Sequence, residues 1–184
     1  MSKAVALHIC CSVCLIAPLE DLQTKGYKVR GVFFNPNIQP FEEHLNRLNA
    51  LKSYLKENTI TSLESANYDS SIHLEISTIP KLTRNDMCIK CYKVRLEHIV
   101  IKAKMNKINA FSTTLLSSPF QDKDKIRDIA TGLEKSYKIT FIDSKEWEKK
   151  HFDSKNRIKS SGLYVQKYCG CIYSKMDRKL KIAK

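Results

Sequence analysis

Seven cysteines fall in three short groups: Cys10-Cys11-Ser-Val-Cys14, Cys88-Ile-Lys-Cys91 and Cys169-Gly-Cys171. Cysteines that only fill space act as small hydrophobes and scatter over core positions. These do not, so the fold has to carry three distant stretches to one place for metal or redox work. A CxxC pair sets two sulfurs around the first turn of a helix, where free N–H groups and the positive end of the helix dipole favour thiolate. Two such pairs suit a tetrahedral zinc ion or a 4Fe-4S cluster. The vicinal Cys10-Cys11 is awkward for one small tetrahedral ion and easier to place on a cluster, which favours iron. Four ligands suffice for one cluster, so the surplus thiols need a second purpose. In Cys169-Gly-Cys171 the glycine permits the sharp bend of a strained, readily reduced disulfide. The same spacing also suits ligation of a second metal.

The thiols sit at telling places in the hydropathy pattern. Ala4 to Ile9 is a short apolar run that meets Cys10 directly, and Lys28 to Phe34 is a second run rich in β-branched and aromatic residues; both read as strands. Between them Leu15 to Lys25 reads as a helix stopped by Gly26. Apolar residues recur at helical spacing in three later stretches: Phe41, Leu45, Leu48, Leu51 and Leu55; Tyr92, Leu96, Ile99 and Ala103; Ile126, Ile129, Ala130, Leu133 and Tyr137. Ile72 to Ile76, Ala110 to Leu115 and Ile139 to Ile142 are the remaining strand candidates. Strands alternating with helices predict an α/β fold, a mostly parallel sheet flanked by helices, in one domain spanning residues 1–184. In such a sheet ligands gather beyond the carboxyl ends of the strands. Cys10 to Cys14, Asn35 to Pro40 and Thr113 to Pro119 all fall there.

Charge narrows the class of partner. Lys and Arg number 32 against 19 Asp and Glu, a formal net charge of +13, which points to a polyanion. Arg30, Arg47, Arg84, Arg95, Lys123 and the basic tail Lys175 to Lys184 are the candidate contacts. No stretch approaches the roughly 20 apolar residues of a membrane span, and no secretory signal opens the chain. A cytoplasmic location with no membrane partner is expected, where clustered thiols stay reduced.

Leu7-His8-Ile-Cys10-Cys11-Ser-Val-Cys14, Phe34-Asn-Pro-Asn-Ile38, Cys88-Ile-Lys-Cys91-Tyr92 through Arg95-Leu96, Thr113-Thr114-Leu115 with Ser118-Pro119, and Tyr168-Cys-Gly-Cys171 with Ser174 occur in one order. In that order and spacing the chain resembles the non-cobalamin epoxyqueuosine reductase family over residues 7–174. The resemblance implies the last step of queuosine biosynthesis, removal of the epoxide oxygen of epoxyqueuosine in a tRNA anticodon loop. It also implies a fold related to the adenine-nucleotide α-hydrolase and PP-loop group. It places 4Fe-4S ligands at Cys10, Cys11, Cys88 and Cys91 and a redox-active pair at Cys169 and Cys171. Cys14 either completes a second site for an additional iron ion or caps the first helix. Where the family usually shows Tyr-Arg-Gln, this chain has Tyr164-Val165-Gln166.

Epoxide opening needs an acid on the leaving oxygen. His8, Tyr92, Asp86 and Tyr168 lie near the thiols in sequence and are candidate proton donors, although His8 also suits a core position and Tyr92 a packed helical stripe. Asn35, Asn37, Arg47, Arg95 and Ser118 are candidate substrate contacts, and an electron donor is required as a partner. Two other classes compete: a non-enzymatic zinc module that grips RNA, and a tRNA-thiolating enzyme. The second needs a glycine-rich phosphate loop after the first strand, where this chain has Cys10 to Cys14 and no glycine.

Overall fold

The chain enters its sheet through a β-α-β unit: β1 (Lys3–His8), α1 (Ser12–Thr24) and β2 (Tyr27–Phe33). The computed structural model describes residues 3–182. Ala183 and Lys184, at the end of the basic tail, lie outside the described residues, as do the side chains of Lys181 and Ile182. β1 and β2 run parallel from Lys3 opposite Tyr27 to His8 opposite Val32. α1 ends where Gly26 takes φ +78°, a conformation that spares only glycine a steric cost.

α2 (Phe41–Glu57) and β3 (Ser62–Ser65) follow, then α3 (Ser71–Thr78) and α4 (Arg84–Met105). The far side of the sheet is built by β4 (Ala110–Thr113) with a short 3-10 turn (Thr114–Ser117), α5 (Lys123–Tyr137) and β5 (Thr140–Phe141). α6 (Glu146–Lys149), α7 (His151–Ser160) and α8 (Ile172–Ile182) complete the chain. The five strands are all parallel in the order β3-β2-β1-β4-β5, as the alternating pattern predicts. β1 is central. The chain winds outward from it in one direction through β2 and β3 and in the other through β4 and β5, so the switch point lies between the carboxyl ends of β1 and β4. Among the described residues, no helix is long and apolar enough to cross a membrane.

Four elements depart from the sequence expectation. Ile72 to Ile76 alternates like a strand, yet it lies inside α3, where only His73 and Ile76 are buried; burial at a spacing of three is helical. β3 has no counterpart among the expected strands, because Ser-Leu-Glu-Ser carries no apolar run and pairs only with β2 at the sheet edge. In α2, Leu48 and Leu51 are buried as expected, but Phe41 and Leu45 are exposed while Glu43 and Arg47 point inward. The strand expected to reach Leu115 stops at Thr113, whose hydroxyl oxygen accepts from the Leu115 amide and opens the 3-10 turn. The stripe of α4 holds, with Tyr92, Leu96, Ile99 and Ala103 all buried.

Gly31 on β2 has no room for a side chain: a Cβ there meets Ile9 Cδ1 at 2.7 Å and Ile60 Cδ1 at 3.0 Å. Gly132 inside α5 meets nothing within 4 Å. Gly31→Val is expected to lower stability by about 1–3 kcal/mol through overpacking. Gly132→Ala is expected to raise it by about 0.5–1 kcal/mol through helix propensity. Urea unfolding midpoints of the two variants should move in opposite directions.

Candidate active site and metal centre

β1 delivers Cys10 and Cys11 to the switch point, and Cys11 serves as N-cap of α1, its sulfur accepting from the Cys14 amide at 3.4 Å. The sulfurs of Cys10, Cys11 and Cys14 lie within 4.8 Å of one another, all buried. Two outside donors reach this group. The Thr114 hydroxyl donates to Cys10 Sγ at 3.3 Å, and Gln166 Nε2 donates to Cys11 Sγ at 2.9 Å. Hydrogen bonds from Cys11 and Cys14 outweigh burial and hold the Cys10 thiol well below its ordinary range. Burial, with the negative Cys10 beside it, pushes Cys11 up, and hydrogen bonds to Cys10 and Cys11 push Cys14 up. The shared hydrogen bonds thus favour Cys10 over its two neighbours as the place for negative charge.

The other four cysteines line one small cleft. Cys88 and Cys91 lie one turn apart on α4, and Cys169 and Cys171 approach from the segment before α8. The structure therefore parts the seven thiols into a tight trio and an open quartet. The four expected cluster ligands are shared between them, Cys10 and Cys11 in the trio, Cys88 and Cys91 in the quartet. All seven are free thiols.

Two buried guanidinium groups stand between these sets. Arg95 on α4 is 1% exposed, its Nε donates to the Cys91 carbonyl at 3.1 Å, and its Nη2 has no partner. Among the described residues no carboxylate pairs with it. An unpaired buried cation is costly, and the nearby anionic groups available to it are the sulfurs of Cys91, Cys169 and Cys10. That unfilled Nη2, with an all-sulfur donor set, fits a negatively charged thiolate-held metal group. Arg47 is the opposite case. Its Nε donates to Glu43 at 2.7 Å, its Nη1 to the Cys169 carbonyl at 3.0 Å and its Nη2 to the Tyr168 carbonyl at 2.8 Å. Glu43 also accepts from the Tyr164 hydroxyl at 2.5 Å, and the Gln39 amide donates to the Gly170 carbonyl at 2.8 Å. Three successive carbonyls, those of Tyr168, Cys169 and Gly170, are thereby fixed, around a glycine at φ +130° whose Cβ would meet Ile38, Asn37 and Arg47.

The other expected site residues divide. Asn37 and Arg95 line the cleft, each with an unpartnered polar atom. Tyr92 lines it too, its hydroxyl accepting from the Asp122 amide at 3.3 Å, with burial pushing it up to about 12. His8 is enclosed instead. Its Nε2 faces the Phe34 carbonyl and Asn35 Oδ1, both at 3.2 Å, and its Nδ1 the Thr113 hydroxyl at 2.9 Å. Burial and the nearby Arg95 lower it to about 4, so it is a neutral bolt between β1, β2 and β4. Asn35 braces the same corner, donating to the Ile9 carbonyl at 2.9 Å. Asp86 is occupied in the capping box of α4 with Thr83. The Tyr168 hydroxyl donates to the Gln39 carbonyl at 2.6 Å. Ser118 turns its hydroxyl oxygen to the Phe120 amide. Arg47 is occupied inside the protein, and Arg30 bonds Asn106 just past the far end of α4 from Cys88. His73 and Gln121 line the cleft without a sequence signal to mark them, the first because its segment reads as a strand. Gln166 belongs to a recognisable motif, yet nothing in that motif places its side chain on Cys11.

Removing the Arg47 charge leaves Glu43 buried and alone. Arg47→Met is expected to cost about 3–5 kcal/mol, and adding Glu43→Gln to recover part of it. A double-mutant cycle by chemical denaturation reads the difference.

The family model described as epoxyqueuosine reductase QueH matches residues 5–177. The epoxyqueuosine reductase QueH of Dehalococcoides mccartyi is 30% identical over 183 residues, covering 97% of this chain and 96% of that one. That of Thermotoga maritima is 29% identical over 188 residues, covering 97% and 94%. Among solved structures, a deacetylase of the teicoplanin biosynthesis pathway superposes with a TM-score of 0.52 at 11% identity, over 86% of this chain and 85% of its own; that likeness concerns the fold alone. With its motifs in order and a family match over nearly its whole length, the chain belongs to the epoxyqueuosine reductase QueH family.

Proposed function

We propose that this protein is an oxidoreductase that reduces epoxyqueuosine in the anticodon loop of tRNA to queuosine, the last step of queuosine biosynthesis. The observation that carries the reading is a buried trio of thiols, Cys10, Cys11 and Cys14, together with four more that line one cleft, the buried Arg95 lying near thiols of both sets. Removing an epoxide oxygen consumes two electrons and two protons and releases water, and two thiols becoming a disulfide supply both. Cys169 and Cys171, held by Arg47 and the Gln39 amide in the cleft wall, are the pair assigned to that exchange.

Cys10, Cys11, Cys88 and Cys91 are the proposed ligands of a 4Fe-4S cluster, and Cys14 is assigned to a second iron site. Such a group supplies single electrons and, at an iron with an open position, a Lewis acid for the epoxide oxygen. Around it, Gln166 donates to the Cys11 sulfur and Arg95 balances charge. The unpartnered Asn37 Oδ1 and Arg95 Nη2 are left for the polar edge of the substrate. Arg84 and Lys123 flank the same region: Arg84 lines the cleft and packs over Tyr173, and Lys123 is tied to the Ser118 and Gln121 carbonyls. With the surplus of basic residues they favour tRNA held through its phosphates. A cytoplasmic electron donor restores the dithiol after each turnover.

Anaerobically reduced protein incubated with tRNA carrying epoxyqueuosine should yield a nucleoside lighter by one oxygen, read by mass spectrometry. An unchanged epoxide with fully loaded protein overturns the reading. Colourless protein holding zinc and no sulfide overturns the cluster and leaves an RNA-binding zinc module. Cys171→Ser is expected to keep its iron and sulfide while multiple turnover falls at least about 100-fold. Raising salt from about 50 to about 200 mM should weaken tRNA binding by about tenfold or more in a filter assay.

A further inference from the structure

His73 lies on α3 and lines the cleft beside Cys171. It is 4% exposed, packed edge-on against Tyr173 with ring centroids 6.4 Å apart, and neither of its ring nitrogens closes a hydrogen bond. Burying an imidazole with both nitrogens idle is unfavourable. A side chain kept that way at the wall of a reaction cleft is placed for a partner that arrives with the substrate or changes with turnover.

Its neighbour across the cleft wall is a reacting atom. The Cys171 sulfur accepts from the Ser174 amide at 3.4 Å and faces the Ser174 hydroxyl at 3.5 Å. Burial alone would raise this thiol, but the His73 imidazole, close to the sulfur without a closed hydrogen bond, the two Ser174 contacts and the Arg84 charge outweigh it and bring it down to about 7. Among the described residues the charged side chains that line the cleft with His73 are Arg84 and Arg95 of α4; the Arg84 guanidinium covers the Tyr173 ring at 4.8 Å and pairs with Asp177 of α8 at 3.0 Å.

The other proton donors read from sequence are engaged elsewhere. His8 has both nitrogens bound within the sheet, Asp86 is held by Thr83 in its helix cap, and the Tyr168 hydroxyl donates to a carbonyl. Tyr92 reaches the cleft but burial holds its proton tightly.

We propose that His73 is a catalytic acid–base residue of this cleft, taking the proton of the Cys171 thiol and delivering it to the oxygen that leaves the cyclopentane ring. The step rests on the deoxygenation reading above. Two C–O bonds of the epoxide break and a C=C bond forms. The Cys169 and Cys171 thiols lose two electrons and two protons as an S–S bond forms between them, and the oxygen departs as water with those two protons. Histidine is suited to both halves of that exchange because it gains and loses a proton near neutrality.

The test uses iron-loaded, anaerobically reduced protein carrying His73→Gln or His73→Ala, each with circular dichroism and iron content matched to the parent. Two quantities are read: single-turnover deoxygenation of epoxyqueuosine tRNA, and the pH profile of Cys171 alkylation by iodoacetamide, located by peptide mass spectrometry. The single-turnover rate at saturating tRNA is expected to fall about 100-fold. Alkylation at neutral pH is expected to slow about fivefold, the effect of raising a thiol that titrates near neutrality by about one unit. Parent-like behaviour of both variants in either measurement overturns the proposal. Failure of the parent protein to deoxygenate overturns the deoxygenation reading instead, while the alkylation profile still decides whether His73 and Cys171 act as a pair. Should His73→Ala lose its fold, His73→Gln, which keeps the volume and a donor, carries the same two readouts.

Discussion

A single guanidinium, that of Arg47, ties together parts of the chain that share no local pattern. It is 3% exposed, and its three nitrogens reach Glu43 one turn back and two carbonyls, those of Tyr168 and Cys169, far along the chain. Burying such a group is tolerable only when its nitrogens are hydrogen-bonded and the charge is paired. Meeting that condition forces α2 to turn its Glu43 and Arg47 face inward, draws the Tyr164 hydroxyl onto Glu43, and fixes the backbone on which Cys169 and Cys171 are carried. The cleft wall is shaped by this requirement as much as by apolar packing.

Charge balance explains the rest of the site. Arg47 brings its own carboxylate, while Arg95 has none among the described residues. The positive field of both falls on the thiols: Arg95 on Cys91, Cys169 and Cys10, Arg47 on Cys11 and Cys10. That field offsets part of the burial that raises the Cys91 and Cys11 thiols, and thiolate is the form that both metal ligation and electron donation need. The Gln166 amide at Cys11 and the Thr114 hydroxyl at Cys10 add direct hydrogen bonds to the same end. Catalysis of deoxygenation then becomes a matter of where protons wait, which is why a buried imidazole with idle nitrogens beside Cys171 is informative.

Much of the frame is legible locally. The apolar run that ends at Cys10, the stop at Gly26 and the stripe Tyr92, Leu96, Ile99 and Ala103 each report a periodicity that the structure keeps. The departures have identifiable reasons. Ile72 to Ile76 alternates by chance of composition, and only its burial against α4 shows the helical spacing of His73 and Ile76. β3 is too polar and too short to announce itself, since an edge strand buries little. The α2 stripe departs at Phe41 and Leu45 because hydrophobicity along the helix says nothing of the carbonyls that Arg47 has to reach.

From the sequence alone, then, come the strand–helix alternation, the grouping of the thiols and the motifs that mark the family, since each depends on neighbours along the chain. The tertiary structure decided which thiols meet. It set Cys10, Cys11 and Cys14 within 4.8 Å, opened Cys88, Cys91, Cys169 and Cys171 to one cleft, and brought His73 to its wall. No periodicity encodes those meetings, because they follow from the order of strands about β1 and from buried charges whose partners lie on other elements.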